Sequence, residues 1–297
     1  MFPSDGNARM GDPALRLPSK RWVPRVDRDG VESMKRTHIN SAGAACLGAL
    51  AALCASTGAQ AADSGFSVGL GAEYTTGKYG GDTPIDEVYV PINFAYDARR
   101  ISVRLTVPYL NVQAPEGTVV EGPDGEQVIG EGPVKTESGI GDVVAALTVY
   151  DVLALADGEF VMDLTGEIKF GTADEDKGLG TGQTDYSVQA DAFRFLDRFT
   201  AIGSVGYLFR GDPADVDLDD AFFASAGGSY AVSDQARLGL FYDYQEASVS
   251  GNDAMQDLSA TFSSRPGENW WMTGYVSAGF SDSSPDWGVG ISFTAGF

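Results

Sequence analysis

The sequence predicts an all-β protein, a closed antiparallel transmembrane β-barrel of about 12 strands with short periplasmic turns and longer extracellular loops. Three observations predict it. Runs of roughly 9 to 11 residues, the length of a tilted strand crossing a bilayer, alternate apolar and polar positions along most of the 297 residues. The last of these runs ends on Phe297, and a basic, then apolar, stretch precedes the first.

Taken in order, residues 1–33 are rich in Pro, Arg and Asp, lack periodicity and read as a disordered leader or an upstream mis-start. Residues 34–61 read as a secretory signal peptide: Lys35 and Arg36, an apolar core over 42–55, then Ala59-Gln60-Ala61, with cleavage expected after Ala61. The core is shorter than the roughly 20 residues of a membrane-spanning helix. Cys46 and Cys54, the only cysteines, are expected to leave with it, so no disulfide framework follows. The barrel is assigned to 62–297.

Its strands are expected near 66–75, 88–96, 101–112, 142–151, 160–171, 185–195, 199–210, 222–232, 237–246, 256–263, 270–280 and 287–297. In the run 160–171, Asp163, Glu167 and Lys169 share one face and Leu164, Ile168 and Phe170 the other. In the last run Trp287, Val289, Ile291, Phe293, Ala295 and Phe297 alternate with Gly288, Gly290, Ser292, Thr294 and Gly296. Phe293 and Phe297 there form the expected C-terminal insertion signal, read by the barrel assembly machinery.

A basic residue facing lipid at mid-membrane costs about 2 to 4 kcal/mol, whereas a wet lumen tolerates charge. Ionisable residues of the runs are therefore expected inward: Glu73, Arg104, Asp142, Asp163, Glu167, Lys169, Asp185, Asp191, Arg210, Arg237, Asp243 and Asp257. Hydrocarbon satisfies no backbone polar group, so the strands must close on themselves. An even strand number returns both ends to one side.

Connections alternate between short (97–100, 156–158, 197–198, 233–235, 264–269) and mostly longer (113–138, 172–184, 211–220), the asymmetry of outer-membrane barrels. Tyr74, Tyr96, Tyr109, Phe170, Tyr186, Phe199, Phe209, Phe222, Trp270 and Trp287 lie near run ends, where interfacial belts belong. A secreted β-sandwich also alternates. Against it stand the terminal Phe297, the loop asymmetry and the aromatic run ends.

Composition removes several function classes. Forty-two acidic against 20 basic residues give a net charge of −22, which argues against a nucleic-acid partner. The single histidine, His38, precedes the expected cleavage site, so histidine-dependent hydrolysis is lost and no enzyme is expected. Asp163 and Glu167 are roughly 13 Å apart at strand rise, too wide for a retaining glycosidase pair. The glycines of 178–182 lack the Lys-Ser/Thr of a phosphate loop and precede a strand, so they read as a turn. The acidic loop 211–220 lacks EF-hand spacing and its distal Glu. It reads as a solvated face bridged to lipopolysaccharide by divalent ions, and neither metal nor cofactor is expected.

The candidate lumen-lining residues are Arg104, Asp163, Glu167, Lys169, Asp191, Arg237 and Asp243, with simple hydration of the bore as the alternative role. The inward acidic excess predicts a modest cation preference.

Four stretches resemble an outer-membrane channel family labelled for the meta pathway of phenol degradation. They are Gly139-Ile140-Gly141-Asp142, Lys169-Phe170-Gly171-Thr172, the run Gly178 to Tyr186, and Gly206-Tyr207-Leu208-Phe209-Arg210-Gly211-Asp212. The chain departs from the family at Gly171, where members often carry Pro. The resemblance implies a barrel of the bacterial outer membrane that passes small organic molecules, with aromatic or other hydrophobic compounds as cargo. The alternative is a structural or adhesive surface protein acting through its acidic extracellular loops, 113–138 above all.

Overall fold

The computed structural model describes residues 64–120, 128–213 and 218–297. The expected leader and signal peptide lie outside these residues. Thirteen strands form one antiparallel sheet: β1 (Ser64–Gly77), β2 (Ile85–Ala98), β3 (Ile101–Pro115), β4 (Val134–Ile140), β5 (Val143–Leu155), β6 (Phe160–Phe170), β7 (Asp185–Leu196), β8 (Phe199–Phe209), β9 (Ala221–Ser233), β10 (Ala236–Gln245), β11 (Met255–Gly267), β12 (Trp270–Gly279) and β13 (Trp287–Gly296). Sequence neighbours pair throughout except β4 and β5, which both pair with β3, and β1 pairs with β13 from Ser67↔Gly296 to Thr76↔Trp287, which closes the wall. Phe297 joins the seam by donating its N–H to the Phe66 carbonyl, 2.8 Å.

The wall has 12 positions, because β4 and β5 occupy one. The lower half of β3 pairs with β5 (Ile101↔Val149 to Thr106↔Val144), its upper half with β4 (Tyr109↔Ile140 to Pro115↔Val134). Between them the register slips by one residue at Gly141-Asp142, a bulge that bends the strand without ending it. The fourth strand is thus longer than the expected run 142–151, and the expected loop 113–138 contracts to 116–133. The two glycines around Ile140 read in sequence as a break, which is how a bulge disguises itself.

Outward positions carry the apolar surface: Leu105, Leu147, Leu164, Val188, Val205, Leu240, Val276 and Ile291 are all exposed. Ring pairs mark the rims, Phe66–Tyr96 at 4.7 Å on the turn end and Tyr74–Trp287 at 5.3 Å on the loop end. Phe293 and Phe297 are exposed on the same outer face.

Some ionisable residues depart from strict inward segregation. Asp86, the second residue of β2, takes an outward register opposite Thr76 and accepts the Tyr74 hydroxyl at 2.8 Å. Asp151 sits in a second bulge, between Val149 and Leu153, with a φ of 52°. Arg194, opposite Phe160, takes an outward position at the turn end and is held by Glu159 at 2.9 Å. Glu246 lies just beyond β10 and accepts the Phe222 N–H, 2.9 Å. Asp86, Arg194 and Glu246 occupy strand ends, where water replaces hydrocarbon and the penalty on charge falls.

Candidate functional site

Cross-strand partners share a face of the sheet, so the registers give the lumen rung by rung. Its two sides differ. From β6 to β10 the inner face interleaves charged and hydroxylic residues with apolar rings: Val161, Phe193, Ile202 and Phe241 form one buried cluster with Phe195 against it, and Phe223 forms another with Leu208 and with Met255 at the start of β11. From β11 through β13 to β1 it is mostly small and hydroxylic, with Ser259, Thr261, Thr273, Ser277, Gly288, Gly290, Ser292, Thr294, Gly69 and Gly71 broken by the buried Asp257, Trp271, Tyr275 and Glu73. The small, polar inner face read from the last run holds for β13 and does not extend to β7, β9 and β10, which carry rings. A narrow barrel needs side chains to fill part of its bore, and apolar rings fill it here. Glycines make room for them: a Cβ on Gly206 would lie 2.1 Å from the Phe223 ring, and one on Gly239 2.7 Å from that of Phe241.

All seven candidate lining residues occupy inward registers. Arg104 on β3 and Glu167 on β6 flank Ala146, which pairs with both. Asp163 and Asp191 are direct cross-strand partners, both fully buried. Asp163 accepts the Asp151 N–H at 2.7 Å, and Asp191 accepts the Gln189 amide at 2.6 Å. Arg237 donates to the hydroxyls of Thr200 and Ser229, 3.3 Å each, and lies six residues along β10 from Asp243. Asp243 faces Asp257 across the β10–β11 pair. The sequence reading omitted Glu87, which is buried on β2 below the expected strand start. It also left Glu73 out of the candidate list, although the Tyr275 hydroxyl donates to that carboxylate at 3.2 Å.

At the loop end an apolar cluster packs against the β2–β3 side of the lumen. Ile85, Leu110, Val112 and Ala114 from the inner faces of β2 and β3 meet Val120 and Leu179, with Tyr79, Tyr89, Ile129 and Ala173 packed around them. Three loops contribute: Tyr79 from 78–84, Val120 and Ile129 from 116–133, Ala173 and Leu179 from 171–184. Burial, and the nearby Glu87 carboxylate, push the Tyr79 phenol above its usual range.

Loop 171–184 enters the lumen by a specific geometry. Its exposed tip makes a single 3-10 turn, Glu175–Lys177, and Gly178 reverses the chain with a φ of 69°. No larger residue fits there, because a Cβ on Gly178 would lie 2.1 Å from the Thr118 carbonyl. The Gly178 carbonyl then accepts the Val120 N–H at 3.0 Å, which ties the two loops together. Leu179 reaches the inner face of β4, close enough that a Cβ on Gly139 would stand 2.9 Å from its Cδ1.

Both roots of this loop converge on Lys169. Its ammonium lies 2.7 Å from Asp185 Oδ2 and 3.6 Å from Asp142 Oδ2. Asp142, the bulge residue, accepts the N–H groups of Thr172 and Ala173 through Oδ1, 2.8 Å each. Thr172 in turn accepts the Val143 N–H, 2.9 Å, and donates to the Gly141 carbonyl, 3.3 Å. Asp185 Oδ1 accepts the Gly211 N–H at 2.8 Å, so the root of loop 210–220 joins as well. The four stretches that carry the family resemblance are thus brought to one corner of the rim.

No family model and no curated protein matches the chain. Among solved structures, the chain is similar to the COG4313 outer membrane channel from Pseudomonas putida F1, at 11% identity and a TM-score of 0.64, over 82% of this chain and 100% of that one. Lower similarity is found to the KdgM porin (TM-score 0.47, 9% identity, 78% and 99% covered) and to the CymD monoaromatic hydrocarbon channel (TM-score 0.45, 12% identity, 87% and 99% covered). At 11% identity the likeness to the COG4313 channel establishes a shared fold, the closed antiparallel barrel described above.

Proposed function

We propose that the protein is a passive channel of the bacterial outer membrane for small solutes, with aromatic or other hydrophobic compounds as cargo. In that setting the barrel assembly machinery inserts it through the strand carrying Phe293 and Phe297. The aromatic rims meet lipid and lipopolysaccharide, and the loop end faces outward. The observation that carries the reading is the inner face itself. Phe193, Phe195, Phe223 and Phe241 point into a bore that a path for ions and water alone would line with polar groups. Apolar rings beside the hydroxyls of β11 to β13 suit a solute with an oily body and a polar edge. The shared fold with an outer membrane channel and the resemblance to the family labelled for phenol degradation support it.

Cells lacking their own uptake route and expressing this chain are expected to take up a small monoaromatic solute faster than empty-vector cells. The purified barrel is expected to conduct in planar bilayers with a modest cation preference. Unchanged uptake together with silent bilayers would overturn the reading. The acidic excess on the wall, Glu73, Glu87, Asp163, Glu167, Asp191, Asp243 and Asp257 against Arg104 and Arg237, supports the sign of the selectivity.

A further inference from the structure

We propose that Lys169 is a latch: by bridging Asp142 and Asp185 it holds loop 171–184 folded into the lumen, and its release opens the extracellular mouth. The inference rests on the channel reading and says which residue positions the part that blocks the path.

Three observations carry it. The segment Gly178–Thr181 is buried while the tip before it is exposed, so this loop is a plug anchored at one point and not a surface excursion. Leu179 is 1% exposed and belongs to the apolar cluster at the loop end. The other attachments seen among the described residues are the Val120 to Gly178 hydrogen bond and the Lys177 ammonium on the Ser138 carbonyl, 3.4 Å, near the tip, and at the roots the ionic corner with the Thr172 hydroxyl bonded to Val143 and Gly141. The corner is asymmetric in a telling way. Asp185 opens β7 and is part of the wall, whereas Asp142 is the extra residue of a bulge and grips the loop through two N–H groups. Lys169, the penultimate residue of β6, supplies the cation that lets both carboxylates sit on one rung. Without it they repel, the grip on Thr172 and Ala173 loosens, and the root of the loop is freed.

The test is planar-bilayer conductance together with thiol labelling in intact cells. No described residue is a cysteine, so Thr181→Cys, at a position 7% exposed, provides a single reporter within them. In the Lys169→Met background an impermeant maleimide is expected to label Cys at 181 several-fold faster than in the Lys169 background, and mean conductance is expected to rise several-fold. Lys169→Arg, which keeps the cation, restores both. Arg194→Met, which breaks an exposed ion pair at the opposite end, changes neither. Unchanged labelling and conductance in a folded Lys169→Met barrel overturn the latch. Should that variant not fold, Leu179→Ala leaves the ion triad intact and removes the plug's anchor; a several-fold rise supports the proposal and parental behaviour overturns it. Silent bilayers for every folded variant, with faster labelling in Lys169→Met, would sink the channel reading and leave the latch standing.

Discussion

The two sides of the lumen are built on one outer pattern and on opposite inner ones. From β6 to β10 the inward positions hold Val161, Phe193, Ile202, Phe223 and Phe241 between charged and hydroxylic residues such as Asp163, Glu167 and Asp191. From β11 to β1 they hold mostly Gly, Ser and Thr, broken by Asp257, Trp271, Tyr275 and Glu73, while outside both sides present Leu, Val and aromatic residues alike. The lipid imposes a single requirement all round the perimeter. The bore imposes none that is uniform, so its two halves are free to specialise. One carries two clusters of apolar side chains among its charges; the other is flatter, its small residues broken by Trp271 and Tyr275.

Four experiments sharpen or break that contrast. The largest effect is expected for Phe193→Ala, which empties a fully buried ring site and is expected to cost about 3 to 5 kcal/mol in urea unfolding of the detergent-folded barrel. Thr273→Ala on the flat side is expected to fall well below it. Equal losses would show that the flat side is packed too. Next, Leu164→Arg and Ile291→Arg place a cation on the lipid face of each side, and both are expected to lose about 2 to 4 kcal/mol in folding into lipid vesicles. A clear difference between them would break the claim that the outside is uniform. Gly206→Val drives a side chain into the Phe223 ring and is expected to cost about 1 to 3 kcal/mol in the same unfolding assay. The smallest change in stability is expected for Arg237→Met, whose guanidinium bonds to hydroxyls. Its readout is reversal potential under a salt gradient, with cation preference rising; a shift toward anions would contradict the field of the wall.

The barrel was legible because its outer face is written under one constraint. Leu164, Ile168 and Phe170 against Asp163, Glu167 and Lys169 announce a strand between oil and water. Strand number and the alternation of short and long connections follow from the same signal. The inner clusters were less legible. Phe193 and Phe241 sit at inward positions that the period marks only as not facing lipid, and no period says whether such a position meets water or another ring. Glu87 was missed because the alternation blurs toward the loop end, where β2 rises above the apolar belt. The bulge at Gly141-Asp142 was hidden for a related reason: it obeys the pairing of β3, which only the folded sheet reveals. The Asp142–Lys169–Asp185 corner unites residues from three strands, and its sequence trace was the set of short stretches carrying the family resemblance.

The seam between β1 and β13 joins Ser67 to Gly296, the widest separation along the polypeptide of any strand pairing described. Entropy makes such a pairing the slowest to form and the last to reward the chain for finding it. Until it forms, β1 and β13 each leave an edge of unpaired amides that would recruit the strand of another molecule. Safe maturation therefore depends on keeping one half-built cylinder apart from its neighbours until its own two ends have met.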